Sequence, residues 1–144
     1  YPICDVAHRD EFTFVSVCIL KHKNKILFTK RPSKKYFGDF WEFPGGKLEN
    51  DETFEIAIKR ELFEELGIKI DIKNLISLDV INHSYDKRNF IIMNVFLLKK
   101  WSGVIKKKDT QDFKWIKTSG PYPKKFLEGS LLILKRIKTK YYSI

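Results

Sequence analysis

The sequence predicts an α+β layered domain in which a mixed β-sheet is packed between helices, and three observations carry that prediction. Two segments, Phe12 to Leu20 and Phe90 to Lys100, are apolar on both alternating faces, the pattern of interior strands. A middle stretch, Thr53 to Gly67, has a helix signal at each end. The order strand, strand, helix, strands, helix then places one sheet between two helices. At 144 residues the whole chain, 1–144, fits one domain long enough to bury a two-layer core.

Taken in order, Phe12 to Leu20 is followed by a turn at Lys23-Asn24 and a second strand, Ile26 to Lys30, which makes a hairpin. Trp41-Glu42-Phe43-Pro44-Gly45-Gly46-Lys47 is a loop punctuated by aromatic, Pro and Gly residues, and its adjacent glycines let backbone approach a ligand closely. In the helix that follows, Thr53 is the N-cap, Glu55 favours the positive end of the dipole, and Gly67 is the left-handed C-cap. Lys69 to Ile72, Leu75 to His83 and Phe90 to Lys100 read as strands, the last central, with a turn over Ser84 to Asn89. Phe113 to Ile116 is a short strand. Leu131 to Tyr141 carries Leu131, Leu132, Leu134 and Ile137 in a helical pattern without an internal breaker.

The chemistry lies in Gly46 to Ile68, GKLENDETFEIAIKRELFEELGI. Gly46, Glu52, Arg60-Glu61-Leu62, Glu64-Glu65 and Gly67-Ile68 stand on a frame that a random sequence would match on the order of once in a hundred million starts. On the helix Glu61, Glu64 and Glu65 are related by i, i+3 and i+4, so three carboxylates share one face and repel each other. A solvated acidic face is the commonest meaning of such a run. The glycine loop running into it favours a hard cation held among the carboxylates. Oxygen donors with no Cys or His set nearby indicate Mg²⁺, with Mn²⁺ as the alternative.

This segment resembles the signature box of the Nudix hydrolases, with every defining position present. The wider run from Arg31 to Ile68, with WEFPGGK and Arg31-Pro32, resembles the MutT branch, whose members hydrolyse nucleoside triphosphates and typically clear 8-oxo-dGTP. The resemblance implies a Nudix fold and metal-assisted substitution at phosphorus, giving a nucleoside monophosphate and pyrophosphate. It makes Glu61 a base or ligand and Glu64 and Glu65 the principal ligands, with backbone oxygen from Gly45 or Gly46 completing the shell. Arg60 pairs with Glu52 or Glu64 and orients it, and Glu52 is structural. Arg31 matches the MutT substrate arginine, and its fork suits phosphate oxygens. Phe43 lies against the base or plugs the core. Arg88 is similar to an arginine near the nucleotide, set against an exposed turn residue. Lys108-Asp109-Thr110-Gln111 resembles the family's Glu-x-Gln loop with aspartate in place of glutamate, which makes Asp109 a shorter-reaching ligand. Glu128 stands where MutT enzymes carry an Asn or Asp that reads the base. Other nucleotides such as CTP, an RNA 5′ end, and a non-catalytic lesion-reading module are the competing readings.

Composition limits the rest. The longest apolar run, Phe12 to Leu20, is too short to span a bilayer, so no membrane association is expected. The chain begins at Tyr1, which leaves a removed leader open. Cys4 and Cys18 lie in no metal or redox spacing and read as free thiols, which suits a reducing cytoplasm. His8, His22 and His83 are scattered and carry no catalytic pattern. The net charge of +10 is carried mostly by lysine, in one stretch over Lys99, Lys100, Lys106, Lys107 and Lys108 and another over Lys124, Lys125, Lys135, Lys138 and Lys140. Neither basic stretch has the aromatic interleaving of a base reader, so a monomer with a nucleoside triphosphate substrate and no stable nucleic-acid partner is expected. Seven of the 18 acidic residues fall between Glu49 and Glu65, a negative island in a positive protein whose field steers polyphosphates.

Overall fold

In the computed structural model residues 11–84 and 88–140 are described. The expectations for Tyr1, Cys4, His8, the middle of the turn after Ser84, and Tyr141 lie outside the described residues. β1 (Glu11–His22) is the spine of a mixed sheet. Along one edge β6 (Asn89–Leu98) runs parallel to it from Glu11 opposite Asn89 to Leu20 opposite Leu98. Along the other edge β4 (Gly45–Lys47) pairs antiparallel with Val15 to Val17. Farther on, β2 (Lys25–Lys30) joins β1 at Lys21 and His22, then splays away to pair with β3 (Trp41–Glu42) and β7 (Asp112–Lys117). β5 (Ile76–Ser84) closes the far side against β6.

Strand alternation builds two cores, one on each face. Val17, Ile19, Phe28, Val95 and Leu97 turn toward α2 (Glu128–Lys140) and meet Ile133, Leu134 and Ile137. Cys18, Leu20, Leu27, Phe96 and Leu98 turn the opposite way and meet Ile58, Leu62 and Leu66 of α1 (Phe54–Leu66). A fully buried Leu or Ile contributes about 1.5 to 3 kcal/mol, so the two apolar faces of β1 and β6 hold the helices on opposite sides. The layered arrangement expected from the sequence is the one observed. Cys18 is fully buried and free, and desolvation pushes its thiol well above the usual range.

The segment expected as a strand at Lys69 to Ile72 is not one. Lys69 makes a single bridge with Ser102, and Asp71 then caps a 3-10 turn, Ile72–Asn74, by accepting the Lys73 N–H at 3.1 Å. Ile68 and Ile70 are buried in strand-like alternation, but the Asp71 cap ends the extended run. α2 begins three residues earlier than its apolar pattern, at Glu128. β3 and β4 fall inside what reads as a loop.

Candidate active site

Helix α1 starts and ends where its caps require. Thr53 Oγ1 accepts the Ile56 N–H at 3.1 Å, and Gly67, at φ 73°, donates its N–H to the Phe63 carbonyl at 2.9 Å. Burial of Ile58, Leu62 and Leu66 turns Arg60, Glu61, Glu64 and Glu65 toward β4 and the β2–β3 loop. There they line a cleft of about 400 Å³ together with Arg31, Lys35, Glu42, Gly45, Gly46 and Asp109.

Arg60 is the hub of this wall. Its Nε and Nη2 bond the two Glu52 oxygens at 2.7 and 2.9 Å, and Nη2 also reaches the Lys47 carbonyl at 3.0 Å. Nη1 bonds Glu61 at 2.7 Å and Glu64 at 3.3 Å. The guanidinium therefore ties the helix to β4 and to the turn before α1, where Glu52 also accepts the Glu49 N–H at 2.7 Å. These bonds hold the Glu52 carboxyl below its usual range.

The glycines of β4 are required by space. A β-carbon at position 45 would fall 2.1 Å from the Ser16 carbonyl oxygen, across the pairing with β1. One at position 46 would fall 2.6 Å from the Glu61 carboxyl carbon. Glu61 therefore lies against bare backbone. Its neighbour Glu65 accepts the Gly45 N–H at 3.1 Å and is half-buried in the cleft wall. Burial, then the negative charges of Glu61 and Glu42, pushes the Glu65 carboxyl well up. Burial likewise raises Glu61, against the pull of Arg60, and raises Glu42 to about 7 against the pull of Arg31. Six carboxylates, of Glu42, Glu49, Glu61, Glu64, Glu65 and Asp109, thus line one cleft, and Lys30, Arg31, Lys35, Lys47 and Arg60 stand against them.

The structure brings Arg31, Gly45, Gly46, Arg60, Glu61, Glu64, Glu65 and Asp109 together in this cleft. Among the described residues no three acidic, His or Cys side chains converge tightly enough to form a closed ligand set. Glu61 and Glu64 are instead both bonded to Arg60. The Asp109 backbone N–H meets the Glu65 carbonyl at 3.4 Å, which carries the Lys108–Thr110 connection across the C-terminal turn of α1. Arg31 bonds both Glu42 oxygens at 3.2 Å through Nη1 and the Tyr36 carbonyl at 3.0 Å through Nε.

Three expected residues lie elsewhere. Of the two readings of Phe43, the ring takes the plug: it is 3% exposed, packed on Phe28 at 4.8 Å and near Phe126. Arg88 is an exposed residue just before β6, where its carbonyl accepts the Glu11 N–H at 2.7 Å. Glu128 opens α2 with its carboxylate exposed, 4.0 Å from His83 Nε2. The first turn of α2 nevertheless touches the glycine loop, because Ser130 Oγ accepts the Phe43 N–H at 3.2 Å.

Sequence reading passed over Glu42 and Lys35. Glu42 had a signal: Trp41 and Phe43 on either side of it are core residues, so an extended chain must aim Glu42 at the opposite face. Lys35 sits in a loop with no periodicity to place it.

A NUDIX domain model matches residues 12–129. The 8-oxo-dGTP diphosphatase of Buchnera aphidicola subsp. Schizaphis graminum is 40% identical over 106 residues, which cover 74% of this chain and 78% of that one. The 8-oxo-dGTP diphosphatase of Proteus vulgaris is 43% identical over 88 residues, 61% of this chain and 75% of that one. A MutT NUDIX hydrolase from Burkholderia pseudomallei superposes with a TM-score of 0.76 over 89% of this chain and 99% of that one, at 23% identity, a likeness of fold. The family match takes in the glycine loop, the carboxylate helix and the start of α2 together, and on that ground the chain belongs to the NUDIX family as a MutT-like hydrolase of phosphoric anhydrides.

Proposed function

We propose that the chain is a metal-dependent nucleoside triphosphate pyrophosphohydrolase that converts 8-oxo-dGTP to 8-oxo-dGMP and pyrophosphate, clearing a mutagenic nucleotide. The observation that carries the reading is Glu65, half-buried beside Glu61 and Glu42 with the Gly45 N–H as its one hydrogen-bond donor. Such a group of carboxylates is unfavourable with protein alone and favourable around a hard divalent cation. The donors are all oxygens, which fits Mg²⁺ or Mn²⁺. Glu61, Glu64, Glu65, a backbone oxygen of Gly45 or Gly46, and Asp109 are the residues that would hold it. When bound, the cation neutralises phosphate charge and lowers the pKa of coordinated water.

The side chains supply the rest. Lys35, Arg31 and Lys47 line the same cleft and attract the triphosphate, with Arg31 exchanging part of its Glu42 bond for phosphate oxygen. Glu61, raised by burial and held by Arg60, accepts the proton of the attacking water. Arg60 keeps that carboxylate aimed while Glu52 anchors Arg60 from behind. For Glu128, exposed at the head of α2 outside the cleft, to read the base, the nucleoside must extend from the cleft to that helix end, where 8-oxo-guanine offers an N7–H donor in place of guanine's lone pair. The buried free thiol of Cys18 suits a reducing compartment such as the cytoplasm, and the chain is proposed to act as one domain and as a monomer. The 8-oxo-dGTP diphosphatases of Buchnera and Proteus support the choice of substrate.

The test is a panel of 8-oxo-dGTP, dGTP, CTP and a triphosphorylated RNA, each with Mg²⁺ and with EDTA. Release of pyrophosphate fastest from 8-oxo-dGTP and only with metal is the expected result. A preference for CTP or for the RNA end would replace the substrate assignment, and equal rates with EDTA would end the metal assignment.

A further inference from the structure

A second cavity of about 690 Å³ lies at the opposite end of β1 from the Glu11 terminus, lined by His22, Lys69, Lys99, Lys100, Trp101 and the 3-10 turn. That volume is within the range of small-ligand sites. Among the described residues no carboxylate lies within ion-pair distance of Lys69, Lys99 or Lys100, and the one acid in the cavity, Asp71, is engaged with Lys73 at 3.6 Å. The aromatic partner is built in. Trp101 stacks on Trp115 at 6.0 Å and 19°, and His22 meets Trp115 edge-on at 6.3 Å. Two backbone bonds between Lys69 and Ser102, at 3.0 and 2.8 Å, lock the two sides of the cavity together.

The cations do not stop at the cavity. From Trp101 the chain crosses the end of α1, where the Lys106 N–H bonds the Leu66 carbonyl at 2.8 Å and the Lys108 N–H bonds the Glu65 carbonyl at 3.1 Å. The stems of Lys106 and Lys108 lie beside Gly67, and Lys108 Nζ sits 4.2 Å over the Phe63 ring. A line of lysines with two aromatic rings beside it, Trp101 and the Lys108-covered Phe63, therefore leads from the cavity toward Asp109 at the rim of the acidic cleft. A mononucleotide would fill the cavity and leave Lys106 and Lys108 unused. A strand of linked phosphates would use both.

The geometry points to a binding surface for a single-stranded polynucleotide, with one base against Trp101, its flanking phosphates on Lys69, Lys99 and Lys100, and the next phosphates along Lys106 and Lys108. Cations with rings beside them are what sequence-tolerant strand binding uses, the rings stacking bases and the lysines neutralising phosphates. The surface does not depend on the hydrolytic reading of the cleft, and it modifies the expectation of no stable nucleic-acid partner.

The test uses the full chain and a labelled single-stranded oligonucleotide of about twelve nucleotides, a length typical of such sites. Log affinity should fall linearly with log salt, by about 0.7 per phosphate neutralised. Lys99→Glu with Lys100→Glu should weaken binding at least about tenfold and reduce the slope by about 1.4, the share of two contacts. Lys124→Glu with Lys125→Glu makes the same charge change outside the cavity and should weaken binding far less. Trp101→Ala should cost about fivefold to a hundredfold, and Trp101→Phe should restore most of it. Pyrophosphate release from a free nucleotide should be unchanged in the Lys99/Lys100 variant, which separates this surface from the cleft. Three results would overturn the assignment: an oligonucleotide bound no better than a mononucleotide, a duplex bound as well as the single strand, or equal losses from the two lysine pairs.

Discussion

The acidic wall of the cleft and the first turn of α2 are both tied to the Trp41 to Lys47 segment, yet they are held in opposite ways. On the cleft side Arg60 alone engages Glu52, Glu61, Glu64 and the Lys47 carbonyl, and the β4 glycines leave no room for any other residue. On the α2 side the tie is the Ser130 bond to the Phe43 N–H together with the Trp41 bonds to Lys125 and Leu127, and Glu128 projects into solvent. A group that must meet every substrate at phosphorus is fixed from several directions. The residue proposed to select the base, Glu128, is carried on a helix end where one side chain can change without disturbing the rest.

That contrast is broken most severely at the carboxylates. Glu64→Gln or Glu65→Gln is expected to lower turnover by at least about a hundredfold while the fold survives, because an amide cannot replace an anionic ligand of a hard cation. The two should then part company in stability. Glu65 is half-buried with its carboxyl pushed up by desolvation and by Glu61 and Glu42, so its neutral variant should melt higher than the parent in EDTA and gain less from added Mg²⁺. Glu64 is 44% exposed on its side chain and paired with Arg60, so its variant should show little rise. Melting scans with and without Mg²⁺ decide it, and wild-type turnover in both variants would remove the metal assignment.

Arg60→Lys tests whether the wall is one network. A single ammonium cannot reproduce three guanidinium nitrogens aimed at different acceptors, so a loss of about 2 kcal/mol is expected in urea unfolding. A midpoint equal to the parent's would mean that the Arg60 bonds are individually worthless. At the other end, Glu128→Ala should lower kcat/KM for 8-oxo-dGTP by about tenfold to a hundredfold, the worth of a hydrogen bond to a charged group, and leave dGTP nearly unchanged. Equal losses on both nucleotides, or none, would reduce Glu128 to the first residue of a helix.

What the sequence disclosed follows the same division. α1 was legible to the residue because Thr53 and Gly67 are local signals, each acting within a few residues of itself. β1 and β6 were legible because Val17 to Leu20 and Val95 to Leu98 are buried on both faces, which leaves a nearly continuous apolar run in each strand. β3 and β4 were not, since Trp41-Glu42 and Gly45 to Lys47 are strands only by virtue of β2 and β1, partners distant in sequence. The carboxylates could be placed together by helix spacing, whereas Glu42 and Lys35 reach the same cleft through tertiary approach, which spacing does not encode. For Phe43 the sequence left base contact and core plug equal, and burial against Phe28 is a fact of packing alone.

Glu42 offers the gentlest test, in pH. Burial holds its carboxyl at about 7 in the folded protein despite Arg31, while an unfolded glutamate titrates near 4.3. The folded state therefore binds this proton more tightly, and the resulting stability is fully present below the unfolded value and is lost as pH rises through 7. In EDTA the parent should gain stability as pH falls from about 8 to about 5. Glu65 and Glu61 are raised as well and contribute slope of the same sign. Glu42→Gln is neutral throughout, so it should be the more stable protein at the alkaline end and flatten part of the slope. Urea midpoints at three pH values measure this, and a slope identical to the parent's would show that Arg31 fully compensates the buried charge.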